Sequence, residues 1–217
     1  MTERIVLDTT PEEYLKYFPL VGAQPPEGMT TSAPGGAMHI VGMRGGEAVG
    51  AAAAWGFVPQ WDASADEPAC FAAGASIARK WKFSVAFRNW RCIVPASSLV
   101  CWREVDGVKM RYALSRTGGG LMLLGGIFEP MPHPTGAKVP TVALITTAPN
   151  RMLAPHGLQV PLLLNGKQIM PWLRGRTNMD LVNEFIKPPG ENCLKITITV
   201  EALVSADSQE TAELQFA

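Results

Sequence analysis

Between residues 79 and 91 the chain interleaves cations with aromatic rings: Arg79-Lys80-Trp81-Lys82, then Arg88-Asn89-Trp90-Arg91. Such a pattern suits a single nucleic-acid strand, because cations follow the phosphates while ring faces stack on bases. A charged loop beside buried tryptophans produces the same pattern, so both readings stand at this level. A second tract, Trp55-Gly56-Phe57-Val58-Pro59-Gln60-Trp61, brackets a Gly and a Pro with two tryptophans that suit either a core or a stacking surface. Cys101 would be reactive only if exposed in an electropositive setting. Cys92, Cys101 and His156 do not follow any common zinc spacing, so no metal is expected. Gly118-Gly119-Gly120 lacks the Lys-Ser/Thr that completes a phosphate loop, and no Gly-x-Ser-x-Gly elbow is present. No cofactor is expected either.

The elements that must position these residues are short. The chain has 217 residues, 47% hydrophobic, with 18 prolines and 21 glycines, which favours one domain with many turns over a helical bundle. Lys plus Arg equals Asp plus Glu at 19 each, so only a local patch could attract a polyanion. The four cysteines show no C-x-x-C pair and read as reduced, mostly buried thiols. The N-terminus lacks a signal-peptide pattern, and the longest apolar run, Leu121 to Phe128, is too short to span a bilayer; the expected location is the cytoplasm.

Thr10, Pro11 and Glu13 predict a capped helix start, with Glu13 completing a capping box. Pro25 to Gly28 ends that unit. Met38 to Met43 and Ala51 to Phe57 read as strands, the second with side chains so small that something should pack close against it. Ser84 to Arg91 reads as a helix or turn, and Arg91 to Val100 as one buried strand. Val108 to Leu114 and Leu121 to Phe128 are expected to pair around Ser115 to Gly120. Residues 129 to 140 read as a loop, Val142 to Thr147 as a strand, Asn165 to Leu173 as a turn and short helix, Asn178 to Ile186 as an amphipathic helix, and Leu194 to Val200 as the last strand. Residues 206 to 217 read as a loose tail. Together they predict an α+β fold: a curled, mostly antiparallel, barrel-like sheet with flanking short helices.

Ordered tracts along nearly the whole chain are similar to those of the SRAP (SOS response-associated peptidase) family. Arg4 stands where that family's N-terminal Met-Cys-Gly-Arg places its arginine. Ala33-Pro34-Gly35, Trp55 to Trp61, Phe83, and Ala86 to Ala96 match further tracts. Gly126, Glu129, Thr146-Thr147, Asn150, Pro155 and Pro161-Leu162-Leu163 agree in type and spacing. The resemblance implies binding to single-stranded DNA and a covalent bond to abasic sites. In that family the second residue is a cysteine whose α-amine, freed when Met1 is removed, forms a Schiff base with the sugar aldehyde.

The resemblance fails at the positions that carry this chemistry. Residue 2 is Thr2, a poorer nucleophile, and with Met1 retained its amine is tied up in a peptide bond. The family's Asn-Ala-Arg-Ala-Glu tract aligns with Phe71 to Ala75. Its glutamate before a tryptophan aligns with Cys101, its histidine with Gly157 (His156 lies one place earlier) and its arginine with Gln159. The expected protein is therefore a catalytically inactive relative, acting in a DNA-damage (SOS) context and retaining single-strand binding through Arg4, Trp55, Trp61, Lys80, Lys82, Arg88 and Trp102. The alternatives are a residual enzyme using Thr2 or Cys101, with His156 the remaining candidate base, and an interaction module using a cleft made apolar by Phe71, Ala72, Ala73 and Ala75.

Overall fold

The computed structural model describes residues 2–19, 30–62, 67–130, 139–175 and 177–200. In chain order the elements are β1 (Thr2–Leu7), α1 (Pro11–Tyr17), β2 (Thr30–Ser32), β3 (Ala37–Arg44), β4 (Glu47–Trp55), β5 (Phe71–Ala73) and α2 (Trp81–Asn89). They continue as β6 (Arg91–Ala96), β7 (Ser98–Val105), β8 (Val108–Arg116), β9 (Met122–Glu129), β10 (Thr141–Thr147), β11 (Val160–Pro161) and β12 (Leu163–Leu164). The last are α3 (Ile169–Leu173), α4 (Met179–Phe185) and β13 (Leu194–Val200). The expected stop at Pro25 to Gly28 and the expected tail from 206 lie outside the described residues, as does most of the 129–140 loop.

Two sheets result. The first is antiparallel, in the order β13-β8-β7-β1-β2. The second runs β11-β10-β4-β3-β6-β9-β12, with β5 added beside β10. Strand β10 also pairs with β9, so β4, β3, β6, β9 and β10 close a ring. Only the β10–β4 and β10–β5 pairings are parallel. The expected α+β, curled and mostly antiparallel architecture is what the chain adopts.

Two expected pairings differ. Arg91 to Val100 is not one strand: β6 belongs to the second sheet and β7 to the first. The crossover is Ser97, whose N–H and hydroxyl both donate to the Val6 carbonyl while its Oγ accepts from the Asp8 N–H. Strand β8 does not pair with β9. It pairs with β7 across Asp106-Gly107, both at positive φ (52° and 78°), the backbone a two-residue hairpin turn requires. That Asp-Gly turn fixes β8 in the first sheet, and Thr117 to Leu121 carry the chain to the second.

Local chemistry explains the elements around these sheets. Thr10 Oγ1 accepts from the Glu13 N–H and Pro11 opens α1. The Glu13 carboxylate accepts from the Thr9 hydroxyl rather than completing a box with Thr10. Tyr14 on α1 is fully buried, and its hydroxyl lies 2.7 Å from His39 Nε2, where burial holds the imidazole neutral with its pKa down to about 4.

The largest polar investment is Arg91. Its side chain is 1% exposed, yet its guanidinium donates to the carbonyls of Phe87, Arg88, Trp172 and Arg174. These are the orphan carbonyls at the C-terminal ends of α2 and α3, where the helix dipole favours a cation. Burial lowers the Arg91 pKa only to about 10, so it stays charged at neutral pH. Arg91→Leu leaves four inward carbonyls unpaired. It is expected to destabilise the chain by about 3 kcal/mol or more, read as a fall in the urea midpoint, and Arg91→Lys should recover only part of the loss.

Candidate functional site

Register brings the predicted chemical residues to one end of the first sheet. Thr2 lies opposite Trp102, Glu3 opposite Cys101, and Cys101 opposite Tyr112. Odd positions of β1 face the core, where Glu3, Ile5 and Leu7 are all buried, while Arg4 faces out. His156 closes a single 3₁₀ turn, Ala154 to His156, and its ring sits 5.7 Å from that of Tyr112. The Arg103 guanidinium donates to the His156 carbonyl. Thr2, Cys101 and His156 thus share one neighbourhood.

Their chemistry there differs from expectation. Cys101 is 4% exposed, and burial pushes its thiol pKa up to about 11, with the Glu3 charge adding to the effect and Arg103 opposing it. A thiol in that state is protonated at neutral pH, so the reading of Cys101 as a displaced nucleophile is withdrawn. Gly157 adopts a left-handed backbone (φ 57°), and a Cβ there would lie 2.6 Å from Arg103 Nη1. The Arg103 guanidinium lies against this position, and the left-handed backbone there favours glycine. Phe71 packs its ring edge-on to Trp55 (5.6 Å, 77°), and Ala72 is fully buried. At Gly74 a Cβ would meet Ile186 at 2.4 Å and the Thr146 carbonyl at 2.9 Å. Ala72 is thus packed in, Phe71 and Gly74 are half-buried, and Ala73 and Ala75 are exposed, so the stretch does not form one continuous apolar wall.

Two members of this cluster escaped sequence reasoning. Glu3 places a carboxylate directly across from Cys101, and Arg103 brings a guanidinium to the same end. The signal for Glu3 was the period of two: Glu3-Ile5-Leu7 puts it on the buried face. Burial raises its carboxyl above the ordinary value, while Arg103 pulls it down. The free cysteines are Cys70 (half-buried), Cys92 and Cys101 (buried) and Cys193 (exposed). Among the described residues no group of three or more His, Cys, Asp or Glu side chains could hold a metal ion.

The expected DNA contacts fall on separate surfaces. Arg4 lies over the Trp102 ring, 5.5 Å from its centroid, on the outer face of the first sheet. Trp55 is fully buried, its indole N–H donating to the Cys70 carbonyl at 3.0 Å. It therefore offers no ring face to a base, and its place among the contacts is corrected. Trp61 is instead 51% exposed and lies beside Trp81, itself 68% exposed, with ring centroids 4.2 Å apart. Lys80, the residue before α2, is exposed next to Trp81, and Arg88 is exposed about two turns further along the helix. Lys82 is committed to the Glu67 carbonyl at 2.9 Å, and Arg79 to that of Ala75.

A model of the SOS response associated peptidase (SRAP) family matches residues 1–206. The chain is 25% identical over 166 residues to the "Abasic site processing protein YoqW" of Bacillus subtilis (strain 168), covering 74% of this chain and 73% of that one. It is also 25% identical over 166 residues to YoaM of the same organism, likewise described as an abasic site processing protein, covering 74% of this chain and 72% of that one. A solved protein from Bacteroides thetaiotaomicron superposes with a TM-score of 0.75 at 18% identity, covering 90% of this chain and 91% of the other. One from Bordetella bronchiseptica gives 0.73 at 17%, covering 90% and 98%. No helix among the described residues is long and apolar enough to cross a membrane.

Glu3 supplies a test of the cluster. Its folded pKa lies above the unfolded value, so the stability it contributes is full below the unfolded value and is lost as pH rises through the folded one. Glu3→Gln removes the buried charge. The variant is expected to show a higher urea midpoint than wild type at about pH 7, with the gain shrinking toward about pH 4.

Proposed function

The chain belongs to the SOS response associated peptidase family, and from that premise we propose that it binds single-stranded DNA, including strands with abasic sites, without forming a covalent bond. The observation that carries this reading is the exposed Trp61–Trp81 pair, with the exposed Lys80 next to it in sequence and Arg88 exposed on the same helix. Leaving two indole rings in water forgoes apolar burial worth a few kcal/mol (about 1.5–3 kcal/mol per large side chain). A surface that spends this much on open aromatic faces beside cations matches what single strands require. Arg4 over Trp102 offers a second cation–ring surface near residue 2. Relatives described as abasic site processing proteins support this substrate class, and the family supports a DNA-damage setting.

The non-covalent half rests on the cluster near β1. The thiol at 101 is buried, Arg103 fills the space beside Gly157, and a phenylalanine stands at 71. Trp61→Ala and Trp81→Ala are each expected to weaken binding to a short oligothymidylate by about 1–3 kcal/mol. Fluorescence polarisation would show it, with wild-type affinity falling as salt rises. No wild-type binding even at low salt would end the proposal. Incubation with abasic-site DNA should give no band shift on a denaturing gel. A covalent band that disappears in a Thr2 variant would instead establish the residual-enzyme reading.

A further inference from the structure

The second sheet carries a cleft of about 700 Å³ that neither the β1 cluster nor the Trp61–Trp81 pair uses. Its walls are Ile40, Gly42 and Arg44 on β3, Ala51 on β4, and the Trp90–Phe128 pair. Register explains its origin. Ile40 pairs with Ala51 and Gly42 with Val49, so these side chains share the face of the sheet that carries Met38 and Ala53 into the inter-sheet core. Burial falls off along this face: Ala53 is fully buried, whereas Ala51 is half-buried and Arg44 is exposed. The small side chains of β4 were expected to admit a closely packed neighbour. At Ala51 they leave open space instead.

We propose that this cleft binds a nucleotide: a planar base with one attached phosphate. Its volume lies within the usual range for a small-ligand site, about 300–1,000 Å³. Trp90 is 37% exposed and meets Phe128 edge-on, with centroids 5.9 Å apart at 66°, so an aromatic wall borders the cleft while still facing solvent. Gly42 and Ala51 line the cleft with little or no side chain, which leaves room for a ring. A Cβ at Gly42 would already press on Phe128 at 3.2 Å, so glycine there keeps that ring in place. Arg44 at the rim gives the cleft a cation with the donor fork that matches a phosphate. Glu47 opposes Arg44 in register but does not line the cleft. The ligand could be a free nucleotide or the terminal nucleotide of a strand; the cleft recognises what the two share.

The test uses the Trp61→Ala/Trp81→Ala double variant of the full chain, so that the site proposed above cannot supply the signal. Thymidine 5′-monophosphate is titrated calorimetrically, with thymidine alongside. The nucleotide is expected to bind, and adding Arg44→Gln should weaken it about tenfold while leaving thymidine unchanged. Ala51→Phe should abolish both, with circular dichroism and the urea midpoint confirming that the variant is folded. Arg44 lies at an exposed hairpin end, so its variant keeps the proposal testable if Ala51→Phe does not fold. Competition by a 5′-phosphorylated octathymidylate would support the strand-end form, and its absence the free-nucleotide form. No binding at millimolar nucleotide, or binding that survives Ala51→Phe in a folded protein, would overturn the proposal. Neither result would bear on the Trp61–Trp81 surface.

Discussion

The buried guanidinium of Arg91 is the constraint around which this molecule is assembled. It sits at the start of β6 and reaches two carbonyls at the end of each of two helices, the two pairs lying more than eighty residues apart in sequence. A guanidinium removed from water must have its donors met, and helix C-termini hold unpaired carbonyls that must also be met. One side chain meets both needs at once. With α2 and α3 fixed against β6, the strand is buried along its whole length. The chain can then turn at Ser97 into the other sheet. That crossover places β7 beside β1 and so builds the end of the first sheet where Thr2, Glu3, Cys101 and Arg103 meet.

At that end the physics is of exchanged space and charge. The carboxylate and guanidinium that seem lost on aligning tracts are present, but on different residues: Glu3 across the strand pair from Cys101, and Arg103 against the His156 turn. Neither restores a nucleophile. Arg103 is tied to a backbone carbonyl beside Gly157, while Glu3 raises rather than lowers the neighbouring thiol's pKa. The same groups in a new arrangement favour a neutral thiol, which is the reverse of what covalent chemistry through Cys101 would need.

The tryptophans divide by burial. Trp55 and Trp172 are core, each with its indole N–H satisfied by a backbone carbonyl. Trp61 and Trp81 are paired in solvent, and Trp90 borders an open cleft. Rings of the second kind keep surface open to solvent, and the proposed recognition of bases rests on them.

The sequence by itself determined the fold class, the start of α1 at Thr10-Pro11, most strand positions and the lack of a thiol at residue 2, because these rest on local periodicity, capping chemistry and residue type. It also carried the Asp106-Gly107 turn that sets the β7–β8 pairing, and the alternation that buries Glu3. What it could not decide was which residues share space. Trp55 and Trp61 stand in one tract and look alike. Only packing against Phe71 and Cys70 makes the first a core residue, and only the approach of Trp81 makes the second half of a surface pair. Likewise a one-residue offset between His156 and Gly157 gained meaning only when Arg103, from another strand, was found in the intervening space. Burial and proximity arise from contacts between distant segments, and those are fixed by the tertiary structure alone.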